Sequence, residues 1–122
     1  MLRIRKDQLD ALGAAQVAEF ERRAAVHLRT FFPDACHVLD DAALREVIRH
    51  GIVRAASYGV EGEREVTLYL DVMMTIGHDF DRDFTLPWAY AILVDPELPE
   101  PERRMRRLFR TVVEHVEGPT RE

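Results

Sequence analysis

Apolar residues recur at steps of three and four along much of the chain, and the clearest run occupies residues 66–76. Five apolar side chains share one helical face there: Val66, Tyr69, Leu70, Met73 and Ile76. This period is typical of a helix with one buried side, whereas a half-buried strand would alternate at every second residue. We therefore expect this run to form the centre of the hydrophobic core.

A long amphipathic helix is predicted before this run. Asp7 is a suitable N-cap, and Gly13 is a point where the helix is expected to kink or split. The helix should end soon after Thr30, because the residue before Pro33 is disfavoured in the helical region. Its apolar face comprises Leu9, Leu12, Phe20, Ala24, His27, Leu28 and Phe31. A connector over residues 34–39 is predicted to follow.

A second helix is predicted to begin at a cap supplied by Asp40 or Asp41 and to end after Tyr58, where Gly59 supplies a left-handed stop. Its apolar face comprises Leu44, Val47, Ile48, Ile52 and Ala55. Gly51 lies inside this helix, where glycine costs about 1 kcal/mol relative to alanine. A neighbouring helix is therefore expected to approach closely at Gly51.

Three further helices complete the prediction. The third begins with negative charge that suits a helix N-terminus, from Glu61, Glu63 and Glu65, and it ends at Gly77. A short fourth helix begins at Pro87, since proline is well placed in a first turn. The last helix runs from about Pro101 to Val116, with Gly118 as its stop. Its apolar face comprises Met105, Leu108, Val112 and Val116.

The elements indicate the all-α class. No convincing alternating strand, internal repeat or low-complexity segment occurs in the chain. We predict a single compact bundle of four to five antiparallel or orthogonal helices around one core. One helical domain should span residues 1–122, with an ordered core over about residues 7–117 and a short mobile tail at residues 120–122.

Composition adds limits on location and partners. The 122 residues include 22 acidic and 17 basic ones, a net charge of −5, and such a field repels nucleic acid and anionic lipid. No apolar run approaches the roughly 18–20 residues of a membrane span. The single cysteine, Cys36, cannot form an internal disulfide, and the N-terminus lacks the apolar stretch of a signal peptide. We expect a soluble cytoplasmic protein without nucleic-acid or membrane partners.

The histidines suggest one metal pattern. His50, followed by His78-Asp79, resembles the H…HD…D signature of helical metal-dependent phosphohydrolases. That signature requires a later aspartate, and Asp95 follows after only sixteen residues, within a proline-rich connector. His78-Asp79 is also expected just past a helix end, where the support that orients metal ligands is missing. A metal site at these residues is therefore not favoured.

Three aspartates at alternate positions, Asp79, Asp81 and Asp83, match the first ligands of a calcium-binding EF-hand loop. The match then ends. Such a loop requires glycine at its sixth position and glutamate at its twelfth, and this chain has Phe84 and Tyr90 there. The aspartates are instead expected to cap turns or to pair with arginines, and the phenylalanines to hold the loop against the core.

Catalytic motifs give little support for an enzyme. Cys36-His37 places a thiol beside an imidazole, but catalytic pairs are usually assembled across a fold and an oxyanion-hole motif is missing. We expect Cys36 to be a semi-buried structural residue. The chain has no glycine-rich phosphate loop, G-x-S-x-G elbow or C-x-x-C pair. We predict a protein that is not an enzyme and that has no cofactor, metal site or catalytic residue.

Two segments are candidate surfaces for a protein partner. The first is the aromatic and acidic loop, with Asp79, Phe80, Asp81, Phe84 and Trp88. Trp88 at the start of a helix is either a binding residue or a plug of the core. The second is the last helix, with a positive cluster of Arg103, Arg104, Arg106, Arg107 and Arg110. That cluster either docks an acidic partner or forms a solvated face balanced by nearby glutamates.

The order of segments resembles a known group of proteins. A helix ends in HLRTFFPDA, and LREVIRHGIVRAASYGVEGEREVTLYLDVMMTIGHDFDRDFTLPWAYAIL follows before the arginine-bearing last helix. Across residues 9–113 the chain resembles small bacterial accessory proteins encoded beside type VI secretion effectors, spikes and adaptors. The resemblance implies a co-chaperone or loading partner that holds an effector before secretion. It supplies no functional residues.

Three functions therefore remain open. The first is a non-enzymatic loading partner, in which the surface around residues 80–88 masks an apolar segment of an effector or adaptor. The arginines of the last helix would be a second contact. The alternative is an immunity protein, whose acidic surface would neutralise the basic site of a neighbouring toxin. The third is metal-dependent hydrolysis by His50, His78 and Asp79.

Overall fold

The computed structural model describes residues 13–118 of the chain, which fold as an all-α bundle. Its α-helices are α1 (Ala14–Phe31), α2 (Pro33–Cys36), α3 (Asp41–Ser57), α4 (Glu63–Ile76), α5 (Pro87–Leu93) and α6 (Pro101–Glu117). A 3₁₀ turn at Phe80–Arg82 separates α4 from α5. Within this part of the chain, no helix combines the length and apolar character needed to cross a membrane.

The helix ends follow the predicted capping chemistry. Asp40 is the N-cap of α3, and its carboxylate accepts a hydrogen bond from the Ala43 amide at 2.8 Å. Gly59, Gly77 and Gly118 all have positive φ angles, of 78°, 124° and 79°, at the ends of α3, α4 and α6. Such conformations strain residues that carry a Cβ atom. These three glycines therefore end their helices as predicted.

Two short elements were not predicted, the single turn of α2 and the 3₁₀ turn at Phe80–Arg82. Pro33 ends α1 but also opens the single turn of α2, because proline fits the first position of a helix. The predicted connector over residues 34–39 is therefore partly helical. The described part of α1 begins after Gly13. The predicted cap at Asp7, the helix before Gly13 and the mobile tail at residues 120–122 lie outside the described residues.

The centre of the core is α4, as the apolar pattern predicted. This helix packs against α1, α3, α6 and the 3₁₀ turn. Its buried side chains are Val66, Tyr69, Leu70, Val72 and Met73, each at most 1% exposed. The neighbouring helices contribute Phe20 and Leu28 from α1, Ile48 and Ile52 from α3, and Met105 and Leu108 from α6.

Gly51 sets the distance between α3 and α4. A Cβ atom at this position would lie 2.5 Å from Leu70 Cδ2 and 2.7 Å from Met73 Sδ. Both distances are well below van der Waals contact, and both partner side chains are buried. The close approach that the sequence predicted at Gly51 is therefore confirmed, and it is made by α4.

We predict that Gly51→Ala destabilises the fold by about 1–2 kcal/mol. Overpacking of a core costs about 1–3 kcal/mol, and contacts as short as those at Gly51 belong to the upper part of that range, about 2–3 kcal/mol. The higher helix propensity of alanine returns about 1 kcal/mol. Urea unfolding measures the change. In a Leu70→Ala background, the same substitution should cost less, because the space left by Leu70 accepts the methyl group. An alanine variant as stable as the wild type would contradict the steric explanation.

Candidate functional site

An apolar groove lies between the C-terminal part of α1, α4 and α6, with a volume of about 500 Å³. Phenylalanines and valines form most of its walls: Phe31, Phe32, Phe109, Val112, Val113 and Val116. α1 and α6 both pack against α4 but share no extensive interface with each other. The space between these two helices therefore stays open to solvent.

The walls of the groove expose large apolar side chains. Phe31 is 66% exposed, Val116 57% and Phe109 38%. The apolar face of α6 extends beyond the part that the core buries. Met105 and Leu108 are buried, while Phe109 and Val116 stay exposed and border the groove. Contiguous exposed apolar surface of this kind is typical of binding sites.

A histidine and an aspartate meet in the groove. His27 Nε2 of α1 lies 2.8 Å from Asp71 Oδ1 of α4, and the two side chains are 32% and 14% exposed. An ionised carboxylate only accepts hydrogen bonds, so Nε2 donates in this contact. The His27 ring also lies 4.9 Å from the ring of Phe31, one turn further along α1. The pair thus ties α1 to α4 beside the apolar walls.

Burial raises the pKa of Asp71 above its ordinary value, and the hydrogen bond from His27 offsets this effect in part. Thr75, one turn further along α4, donates its hydroxyl proton to the Asp71 carbonyl at 2.7 Å. When the Asp71 carboxyl is ionised, it can attract a cation from the groove. The larger capacity of the site is apolar binding, because each 100 Å² of covered apolar surface contributes about 2.5 kcal/mol.

The aromatic and acidic loop is divided between interior and surface. Phe80 is 1% exposed, with its ring 4.9 Å from Tyr69, and Asp81 is 2% exposed. These two residues, predicted to bind a partner, cannot reach one in this fold. Phe84 is 91% exposed, so the prediction that it holds the loop against the core is wrong. Trp88 is half-buried against the core, with its ring 5.3 Å from His115.

Asp81 is the centre of a buried hydrogen-bond network. Arg54 donates to it from Nε at 3.0 Å and from Nη2 at 2.7 Å, and the Tyr58 hydroxyl donates to Oδ2 at 2.7 Å. Burial, together with this hydrogen bond to Asp81, raises the pKa of Tyr58 to about 12. The network fastens the 3₁₀ turn to α3. Asp81 thus pairs with an arginine, which was one of the two roles predicted for the aspartates.

The residues of the suggested metal pattern are only partly assembled. His50 Nε2 lies 3.0 Å from Asp79 Oδ1, but Arg54 Nη1 lies 3.4 Å from the same oxygen. A guanidinium at this position competes electrostatically with a metal cation. His78 is exposed. Across residues 13–118, no three His, Cys, Asp or Glu side chains are grouped so that they could hold a metal ion.

The arginines of α6 separate into two sets. Arg103, Arg106, Arg107 and Arg110 are exposed, as a solvated or docking face requires. Arg104 is 8% exposed and donates to the carbonyls of Leu98 at 2.9 Å and Tyr58 at 2.7 Å. Its place in the predicted surface cluster is therefore wrong. Arg104 fastens the connector before α6 to the end of α3.

Cys36 is 1% exposed, and burial raises the pKa of its thiol. A raised pKa reduces the thiolate fraction and with it the nucleophilicity of the sulfur. His37 is exposed beside it. These features fit the structural role that the sequence predicted for this cysteine.

The groove was not among the predicted sites. The sequence did place His27 on the apolar face of the first helix, where a titratable side chain is unusual. Asp71 interrupts the apolar run of α4 in a similar way. The two residues are 44 positions apart, so no local spacing links them. Polar residues inside otherwise apolar helical faces were the available signal.

Comparison with models of protein families, with curated protein sequences and with solved structures finds no match to this chain.

We predict that Asp81→Ala destabilises the protein by about 3–5 kcal/mol. The substitution leaves the largely buried Arg54 guanidinium with its 3.4 Å contact to Asp79 as the remaining ion pair among the described residues. Tyr58→Phe removes one hydrogen bond to a charged group and should cost about 1.5–3 kcal/mol. Asp83→Ala, in the same loop but with an exposed contact to Thr85, is the control and should cost less than either. Guanidinium unfolding ranks the three variants. Equal losses for Asp81 and Asp83 would contradict the network.

A pH dependence follows from Asp71. Because its folded-state pKa is raised, the folded state holds this proton more tightly than the unfolded chain. The stability contributed by Asp71 is therefore greatest below pH 3.8, its ordinary pKa, and declines as pH rises through the raised value. We therefore expect the unfolding free energy of the wild type minus that of Asp71→Asn to decrease as pH increases through the raised pKa of Asp71.

Urea unfolding of both proteins at a series of pH values measures this difference. The same comparison in a His27→Gln background removes the imidazole and should keep the sign of the slope. A difference that grows with pH would show that hydrogen bonding, and not burial, controls the Asp71 carboxyl group.

Proposed function

We propose that this protein is a non-enzymatic accessory protein that binds an apolar segment of a partner protein in the groove between α1, α4 and α6. The proposal rests on one observation: three helices leave an open groove of about 500 Å³ with exposed phenylalanine and valine walls. An exposed apolar surface of this kind lowers the solubility of a protein unless another molecule covers it.

The shape of the groove favours a helical or extended protein segment. Phe109 and Val116 on α6 are seven residues apart, which corresponds to about 10 Å along the helix axis. One face of a helix with apolar residues at steps of three and four matches this length over about two turns. Recognition of an amphipathic helix in an apolar groove is a common mode of peptide binding.

The finer role follows from the resemblance to accessory proteins of type VI secretion. In that role the groove masks an apolar segment of an effector or of its adaptor until secretion, and the protein acts in the cytoplasm without nucleic acid or membrane. The exposed parts of the two predicted surfaces are secondary contacts: Asp79, Phe84, the outer edge of Trp88, and Arg103, Arg106, Arg107 and Arg110. Their exposure supports this assignment.

Val116→Asp tests the groove. Val116 is 57% exposed, so the fold should tolerate the change while a charge enters the wall. We expect at least a tenfold loss of co-purification with a co-expressed effector or adaptor that the wild-type protein binds. Val38→Asp, at an 82% exposed valine outside the groove, is the matched control and should bind normally.

Unchanged binding by Val116→Asp would exclude the groove, and loss of binding by Phe84→Ala instead would assign the contact to the aromatic loop. Deletion of the gene separates the alternatives. A loading partner leaves its effector insoluble or unsecreted, whereas an immunity protein leaves cells poisoned by their own toxin. The immunity alternative is favoured by the net charge of −5, which suits a basic toxin.

A further inference from the structure

The polar side chains in the groove carry one sign of charge. Asp71 and Glu117 are the carboxylates in its lining, beside His27 and Thr75. Among the described residues that line the groove, none is lysine or arginine. Arg106 and Arg110 lie on the neighbouring side of α6, outside this lining. The groove is therefore apolar in its walls and acidic in its polar part.

Asp71 has capacity for a further hydrogen-bond donor. Its Oδ1 atom contacts His27, while Oδ2 accepts no hydrogen bond from the described residues. The side chain keeps 14% of its surface exposed, so a donor can reach it from the groove. Asp81 is different, because Arg54 and Tyr58 together contact both of its oxygens.

A cation at Asp71 would also relieve the cost of its burial. An ionised carboxylate removed from water is stabilised most by a positive charge that donates a hydrogen bond. Lysine and arginine bring such a charge on a long apolar stem, which can lie along phenylalanine and valine walls. A peptide with an acidic residue at the same point would add like-charge repulsion instead.

We propose that the segment bound in this groove is an amphipathic helix with a lysine or arginine at the edge of its apolar face, and that this side chain pairs with Asp71. The inference rests on the proposed function, since it specifies the partner of the same groove. The basic residue fixes the register of the bound helix, and the apolar contacts supply most of the affinity.

A peptide library tests the pairing. The probe is a phage-displayed library of helical peptides of about 15 residues. Leucine is fixed at steps of three and four to form one apolar face. All remaining positions are varied among Lys, Gln and Glu. Selection against the wild-type protein should enrich lysine at one position beside the stripe. Selection against Asp71→Asn, which keeps the shape of the side chain, should lose that enrichment.

Single peptides then give the magnitude. A selected lysine peptide should bind the wild type about tenfold more tightly than its glutamine counterpart, as expected for a hydrogen bond to a charged group. On Asp71→Asn the ratio should fall below about twofold. Thr75→Val, a change beside Asp71 that leaves its carboxylate, is the matched control and should keep the preference for lysine.

The outcomes separate this inference from the proposed function. Peptides that lose binding on Val116→Asp but show no preference for lysine would overturn the pairing and leave the groove as the binding site. Enrichment of glutamate in place of lysine at the position beside Asp71 would also overturn the pairing. A failure to select any peptide that depends on Val116 would overturn both proposals.

Discussion

Burial of α4 on several sides determines the rest of the structure. This helix packs against α1, α3, α6 and the 3₁₀ turn, and Gly51 is needed because α3 approaches it too closely for a Cβ atom. α6 packs mainly on α4, whereas α1 packs mainly on α3 and touches α4 less, and α1 and α6 share no extensive interface with each other. The groove is therefore a consequence of how the core is formed, and its floor belongs to the most buried helix of the fold.

Asp71 and Asp81 differ in how far the surrounding protein compensates the burial of their charge. Asp81 is surrounded by donors from Arg54 and Tyr58, so its desolvation is offset within the protein. Asp71 has one described partner, His27, and burial raises its pKa. A neutral or apolar residue at position 71 would avoid this cost. Binding sites commonly retain such locally unfavourable groups because a ligand compensates them.

The sequence predicted what local chemistry controls. The cap at Asp40, the stops at Gly59 and Gly77 and the close packing at Gly51 depend on neighbouring residues or on backbone conformation alone. The short turns at α2 and Phe80–Arg82 were missed, because single turns carry no hydrophobic period. Residues of the same type that lie close together in the sequence also differ in their burial. Phe80 is buried and Phe84 exposed, and Arg104 binds carbonyls while Arg103 faces solvent, since only the tertiary fold separates them.

The groove and the predicted arginine face are connected through α6. Arg110 precedes Val113 by three residues and Arg106 precedes it by seven, so both share its side of the helix, at about 100° per residue. A helix lying in the groove would thus have carboxylates beneath it and guanidinium groups along one edge. Such an arrangement distinguishes the two directions in which an amphipathic helix can bind. A basic residue toward Asp71 and acidic residues toward α6 would together select one orientation, which apolar walls alone do not specify.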